Sequence, residues 1–206
     1  MSSHIQHEPG QLAGVVLAGG RSVRFGGEKA SALLAGKPLL MWAVERLRPV
    51  CAHVAVNARP GTEAEALAQA AGLAVLYDAP GDAAGPLAGV RVGLEWGAGL
   101  GARALAVSPC DAPLLPDDLY LRLVAAAGEG AALAETSDGP QPLCALWPVS
   151  ALGALEAALT GGAHPATWRM LESLGARRVR FDAAAAFANL NTRADLEAIA
   201  AHFARR

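Results

Sequence analysis

Short apolar runs without a charge alternate along this chain with longer stretches whose apolar positions recur at helical spacing. Residues 14–17, Gly-Val-Val-Leu, read as a buried first strand. Pro38 opens a helix through about residue 49, with Leu40, Val44 and Leu47 on one face. Residues 53–57 read as the second strand, 62–71 as a helix closed by Gly72, and 73–76 as the third strand. Pro86 starts another helix that reaches toward Trp96, and residues 104–107, with no polar position, make a central strand. Pro116 then begins a helix with Asp117 and Asp118 in its first turn, where the macrodipole favours carboxylates. Beyond residue 130 the pattern predicts strands at 131–136, 143–147 and 178–181 and helices at 150–159 and 167–174. Thr192 caps a final helix. Strand–helix alternation of this kind implies a three-layer α/β/α sandwich with a mostly parallel sheet. Neither a repeat nor a domain linker interrupts it.

In such sheets ligands sit beyond the carboxyl ends of the strands, and three polar motifs fall there. The first is Leu17-Ala18-Gly19-Gly20-Arg21-Ser22-Val23-Arg24-Phe25-Gly26-Gly27-Glu28-Lys29. Glycine lets the backbone come close to a ligand, so that N–H groups face phosphate oxygens. Arg24 and Lys29 can then neutralise a triphosphate. The spacing is neither that of a Walker A loop nor that of the dinucleotide fingerprint. The second motif is Asn57, whose amide suits a base edge, with an Asx turn as the alternative. The third is Ser108-Pro109-Cys110-Asp111-Ala112-Pro113, in which two prolines restrict the backbone around one carboxylate. Asp111 is a hard oxygen ligand suited to Mg²⁺, or else part of a turn before a helix. Asp78 ends the third strand, where a cap or solvated turn is the competing reading. Gly85-Pro86-Leu87-Ala88-Gly89 feeds a helix whose N-terminus can face an anion, although packing explains it equally well.

At 206 residues the chain has the size of one domain with a substantial core. Its 53% hydrophobic and 17% charged residues exclude a disordered chain. A net charge of −2 gives no reason to expect nucleic acid or an anionic membrane as partner, so phosphate binding must come from local bases. Residues 1–11 are polar, lack the apolar core of a secretion signal, and are expected to be a disordered leader before one domain at 12–206. Alanine-rich segments are all interrupted before the roughly 20 residues needed to span a bilayer. Cys51, Cys110 and Cys144 are far apart, and the histidines show no metal-ligand spacing. A reducing cytoplasm is the compartment expected.

Taken together, the Leu-Ala-Gly-Gly-x-Ser-x-Arg-x-Gly string with its lysine, the Pro-Cys-Asp-x-Pro segment and Gly-Pro-Leu-Ala-Gly resemble the signature of the MobA-type molybdenum cofactor guanylyltransferases. The resemblance covers roughly residues 12–204 and implies a Rossmann-like nucleotidyltransferase sandwich. It implies transfer of GMP from GTP to the terminal phosphate of molybdenum-loaded molybdopterin, with Mg²⁺ as cofactor. It further implies nucleotide contacts from Leu17, Ala18, Gly19, Gly20, Lys29, Asn57, Asp78 and Asp111. Asp111 would hold the metal, and Arg24 and Lys29 would stabilise charge on the phosphates. Gln141, in Gln141-Pro142-Leu143-Cys144-Ala145-Leu146, resembles the family's segment near the acceptor.

Phe187-Ala188-Asn189-Leu190-Asn191-Thr192 resembles the family's Asn-x-Asn-Thr signature. Two asparagines two apart on an extended segment share a side, so Asn189 and Asn191 are candidates for holding a pterin or phosphate, or for serving the turn. Leu-Ala-Gly-Gly, where the cytidylyl-transferring relatives more often carry Leu-Ala-Ala-Gly, favours guanine. One departure stands out: the family pattern is Gly-Gly-x-Asp-Lys, whereas here Glu28 follows Gly27 directly. Glu28 is therefore left outside the catalytic set. The rivals are a cytidylyltransferase or other nucleotidyltransferase acting on molybdopterin or a sugar phosphate, and a non-catalytic maturation factor. GTP and molybdopterin are the expected partners, with molybdoenzyme maturation proteins beside them, and neither nucleic acid nor membrane.

Overall fold

A computed structural model describes residues 12–20, 25, 27–79, 85–160 and 165–203. The chain runs from β1 (Leu12–Leu17) through a small hairpin, β2 (Leu33–Leu34) and β3 (Lys37–Pro38), into α1 (Leu39–Leu47). It continues with β4 (His53–Asn57), α2 (Glu63–Ala70), β5 (Ala74–Leu76), α3 (Pro86–Gly99), β6 (Ala104–Pro109) and α4 (Leu119–Ala127). The second half holds β7 (Ala132–Thr136), β8 (Gly139–Pro148), α5 (Leu152–Thr160), α6 (Thr167–Ser173), β9 (Arg177–Arg180) and α7 (Arg193–Phe203).

Seven strands form one sheet in the order β5-β4-β1-β6-β8-β7-β9. Strands β5, β4, β1 and β6 are parallel neighbours. Strand β8 is antiparallel to β6 and β7, and β9 returns parallel to β7. The sheet is thus mostly parallel. Successive strand residues feed opposite faces. Leu12, Val16, Ala104 and Ala106 pack with α1, α2 and α4. Ala13, Val15, Leu105 and Val107 pack with α3, α5 and α6. These are the three layers, with the sheet between two helical ones. Helix α7 lies outside them, where Leu196 and Ile199 meet Leu34, Leu39 and Leu190. Each fully buried Leu or Val contributes about 1.5–3 kcal/mol of transfer free energy.

Local chemistry sets most boundaries where the sequence places them. Thr62 caps α2, its hydroxyl accepting from Glu65 N–H at 3.4 Å. Gly72 follows that helix at φ 67°, the left-handed conformation that closes a helix. Pro38 precedes α1 instead of opening it, because its ψ of 142° is extended and it pairs with Leu33. Helix α4 begins at Leu119, later than the sequence pattern indicates. Leu119 N–H closes a turn onto the Pro116 carbonyl at 3.2 Å, and Asp117 pairs with Arg46 of α1. Asp117 therefore belongs to a turn ahead of the helix and not to its first turn.

Strand β8 is longer than expected, because it extends back through Pro142 and Pro140. Those prolines lie beyond the stretch paired with β6, where a missing N–H does no harm. The expected leader at residues 1–11 lies outside the described residues. No helix among the described residues is long and apolar enough to cross a membrane.

Candidate active site

The carboxyl ends of β1, β4 and β6 converge on one cavity of about 460 Å³. Leu17, Ala18, Gly19 and Gly20 line it from the end of β1, Asn57 from β4, and Pro109, Cys110 and Asp111 from β6. Asp78 enters from the segment after β5, and Gly85 and Pro86 from the start of α3. The three strand-end motifs therefore do share one site. Arg24 lies outside the described residues.

Lys29 begins a single 3₁₀ turn, Lys29–Ser31, anchored by buried Ala30. Its Nζ donates to Asp111 Oδ2 and to Asn191 Oδ1, each at 2.9 Å. The lysine and aspartate side chains are 13% and 21% exposed, so the pair is shielded yet open to the cavity. Asn191 arrives there because the Leu190 N–H donates to the Asp111 carbonyl at 2.8 Å. Asp195, in the first turn of α7, accepts the N–H groups of Asn191 and Thr192, both at 2.8 Å. Thr192 Oγ1 in return accepts from Asp195 N–H at 3.1 Å, completing a capping box. Those backbone donors, Asn191 first, hold the Asp195 carboxyl below the ordinary aspartate range.

On the other side of the cavity, Asn57 is 4% exposed and its amide points inward. Its Nδ2 donates to Asp78 Oδ1 at 2.9 Å and to the Leu76 carbonyl at 3.3 Å. The amide hydrogens thus orient the Asp78 carboxylate, which is itself exposed at the rim. A Cβ on Gly89 would lie 2.5 Å from Asn57 Oδ1 and 2.7 Å from Leu17 Cδ2. Glycine is required there so that α3 can close over the asparagine.

The acceptor-side candidates are less gathered. Gln141 sits at the β7–β8 hairpin, where Nε2 donates to Thr136 Oγ1 at 3.1 Å and to the Gly139 carbonyl at 3.4 Å. Leu143, two residues on, is the part of that segment that lines the cavity. Asn189 is exposed, and its carbonyl accepts from Asn191 Nδ2 at 3.4 Å. The wall also contains Glu28, Arg59, Thr62 and Leu143, none of them singled out as site residues from sequence. Arg59 and Thr62 follow the end of β4, and being two and five residues past Asn57 was the available signal.

The Cys110 thiol, beside Asp111, is pushed up to about 12, by desolvation first and then by the Asp111 carboxylate. It is neutral and a poor nucleophile at neutral pH. No cluster of three or more His, Cys, Asp or Glu able to hold a metal exists among the described residues.

A glycine-rich strand exit, a lysine–carboxylate pair and a carboxylate at the far rim suit a nucleoside triphosphate. A family model described as MobA-like NTP transferase domain matches residues 14–179. The chain belongs to that family. Among MobA-like relatives, the molybdenum cofactor guanylyltransferase of Cereibacter sphaeroides is 42% identical, over 90% of this chain and 94% of its own. The protein of the same name from Cupriavidus taiwanensis is 41% identical over 94% and 97%.

Among solved MobA-like structures, molybdopterin-guanine dinucleotide biosynthesis protein A from Archaeoglobus fulgidus superposes with a TM-score of 0.74 at 25% identity. That match covers 94% of this chain and all of the other. The 4-diphosphocytidyl-2C-methyl-D-erythritol synthase of Anaerococcus prevotii has the same fold, with a TM-score of 0.73 at 11% identity over 95% and 96%.

Proposed function

We propose that this MobA-like NTP transferase moves GMP from GTP to the terminal phosphate of molybdenum-loaded molybdopterin, releasing pyrophosphate. The observation that carries the reading is the Lys29–Asp111–Asn191 cluster beside the glycine exit of β1, in a chain whose relatives bear the guanylyltransferase name.

Sheet order supports one direction for the nucleotide. Strands β5 and β6 are three positions apart, so the strand exits that lead to Asp78 and Asp111 are spaced by roughly 14 Å at ~4.8 Å per strand. That is the span of an extended nucleoside triphosphate. The phosphates lie at Lys29 and Asp111, and the base lies toward Asn57 and Asp78. A carboxylate can only accept, and guanine offers adjacent N1–H and N2–H₂ donors, so Asp78 is matched to a guanine edge.

The residues also fit a magnesium ion, which takes one or two carboxylates and completes its shell with phosphate oxygens and water. Asp111 Oδ2 accepts from Lys29, and its Oδ1 accepts no hydrogen bond among the described residues. Asp111 would hold the ion, which would draw charge from the departing pyrophosphate when bound. The remaining work belongs to the chain. Main-chain N–H groups at Gly19 and Gly20 orient the triphosphate, and Lys29 turns from Asp111 to the phosphate oxygens. The acceptor phosphate, already anionic near neutral pH, forms the new bond to the α-phosphorus as the α–β bridging bond breaks. No strong general base is needed, and positioning with electrostatics supplies the acceleration. Catalysis in the cytoplasm is part of the same proposal.

Pyrophosphate release with each of the four nucleoside triphosphates and molybdenum-loaded pterin tests it. Turnover with GTP alone is expected. Turnover with CTP would replace the donor, and GTP binding without pyrophosphate release would make the protein a non-catalytic maturation factor.

A further inference from the structure

We infer that Glu28 is a positioning residue for Lys29, acting through the N-terminus of α2; this rests on the reading of Lys29 as a phosphate-binding cation. Glu28 Oε2 accepts the N–H of Ala64 at 3.1 Å, across 36 residues of sequence. Ala64 is the second residue of α2, and its N–H is one of the first-turn donors that a helix leaves without a partner. Thr62 serves the N–H of Glu65, so Glu28 and Thr62 cap the helix together. The macrodipole favours a carboxylate at that end.

The bond matters for Lys29 because of what precedes it. Gly27, just before Glu28, offers the backbone little intrinsic restraint. Restraint comes from the other direction. Glu28 is fastened to α2, and its carbonyl accepts from Ser31 Oγ at 3.1 Å. Ser31 also bonds the Glu63 carboxylate of α2, and Ala30 is buried in the cluster that contains Ala64 and Ala68. The 3₁₀ turn is thus seated on α2, and from that seat Lys29 reaches Asp111 and Asn191. Glutamate has one methylene more than aspartate, and here the extra reach spans the gap to Ala64. A chain one residue shorter before its lysine than the family pattern is held in place by this longer side chain.

The test compares kcat and KM for GTP in E28A, E28D and E28Q, and repeats E28A in a K29A background. E28A and E28D are expected to lower kcat ~10- to 100-fold, the cost of a misplaced catalytic group. E28Q keeps an oxygen that can accept the Ala64 N–H and is expected to stay within about 3-fold of the parent. In the K29A background E28A should cost nothing further, because Glu28 acts only through that lysine.

Full kcat in E28A, an E28Q as impaired as E28A, or an equal additional loss on top of K29A would each overturn the inference. K29A by itself separates the two levels. If K29A retains full turnover, the phosphate-binding reading of the lysine fails first. Thermal melts accompany each variant. Should E28A not fold, the contrast between E28D and E28Q decides the matter.

Discussion

Asp111 serves the site through two different atoms. Its carbonyl receives the Leu190 N–H and so docks the segment before α7, while its carboxylate receives Lys29. Replacing the side chain leaves the backbone bond in place. Asp111→Ala is therefore expected to reduce pyrophosphate release ~10²- to 10³-fold, the scale of losing a charge-stabilising group. Its urea denaturation midpoint should stay close to that of the parent, since a partly exposed pair contributes little to stability. Turnover at the parental rate would remove Asp111 from the mechanism. The positions of Asn57 and Asp111 at strand exits, and of Lys29 in the segment after β1, were legible in the sequence because short local motifs mark them. Their partners were not. Asn191 lies 162 residues from Lys29, and Ala64 lies 36 from Glu28, so neither bond leaves a local pattern. Asn57 ends β4 and lines the cavity, but the direction of its hydrogens depends on Leu76 and Asp78 of the next strand segment.

Among the elements, α3 shows how helix and sheet together set the site. Gly89, Gly93 and Gly97 recur every four residues and form one small-residue face against β1, β4 and β6. The demand on that face is graded. A Cβ at Gly89 would press on Asn57 Oδ1 at 2.5 Å, whereas one at Gly97 would meet Ala13 Cβ at an ordinary 3.4 Å. Gly89→Ala is expected to destabilise by ~1–3 kcal/mol through overpacking and to raise KM for GTP by displacing Asn57 and Asp78. Gly97→Ala should instead be neutral or stabilise by up to about 1 kcal/mol, as alanine does inside a helix. Urea titrations of the two variants check both signs. The Gly-Pro-Leu-Ala-Gly segment was legible as a turn into a helix. That its last glycine packs on Asn57 required the structure, because the sequence carries no record of which face meets the sheet edge. Helix α4 starts late because the Leu119 N–H closes a turn onto the Pro116 carbonyl ahead of it.

For the molecule as a whole, the desolvated thiols contribute to how stability varies with pH on the alkaline side. Burial pushes Cys51 up to about 12, desolvation does the same for Cys110, and Cys144 and Tyr120 are raised as well. Tyr120 also donates its hydroxyl to the Val107 carbonyl at 2.8 Å. In the unfolded chain the thiols titrate near 8.5, so the unfolded state releases protons first as pH rises. Their contribution to stability is complete below that value and declines above it, until the native thiols themselves ionise. The urea midpoint should accordingly fall steadily between about pH 8 and about pH 10, and a flat profile would contradict the burial of these groups.

The order of strands and helices along the chain, the glycine-rich exit of β1 and the carboxylate after β6 follow from local composition. Apolar runs, glycine and proline act over a few residues, and their physics is the same in any context. The tertiary structure alone decided that Asn191 meets Lys29, that Glu28 caps α2, that Asn57 holds Asp78, and that Gln141 stays at its hairpin. Each of these is a meeting of side chains from distant segments, and it exists only once the sheet has brought its strand ends to one edge.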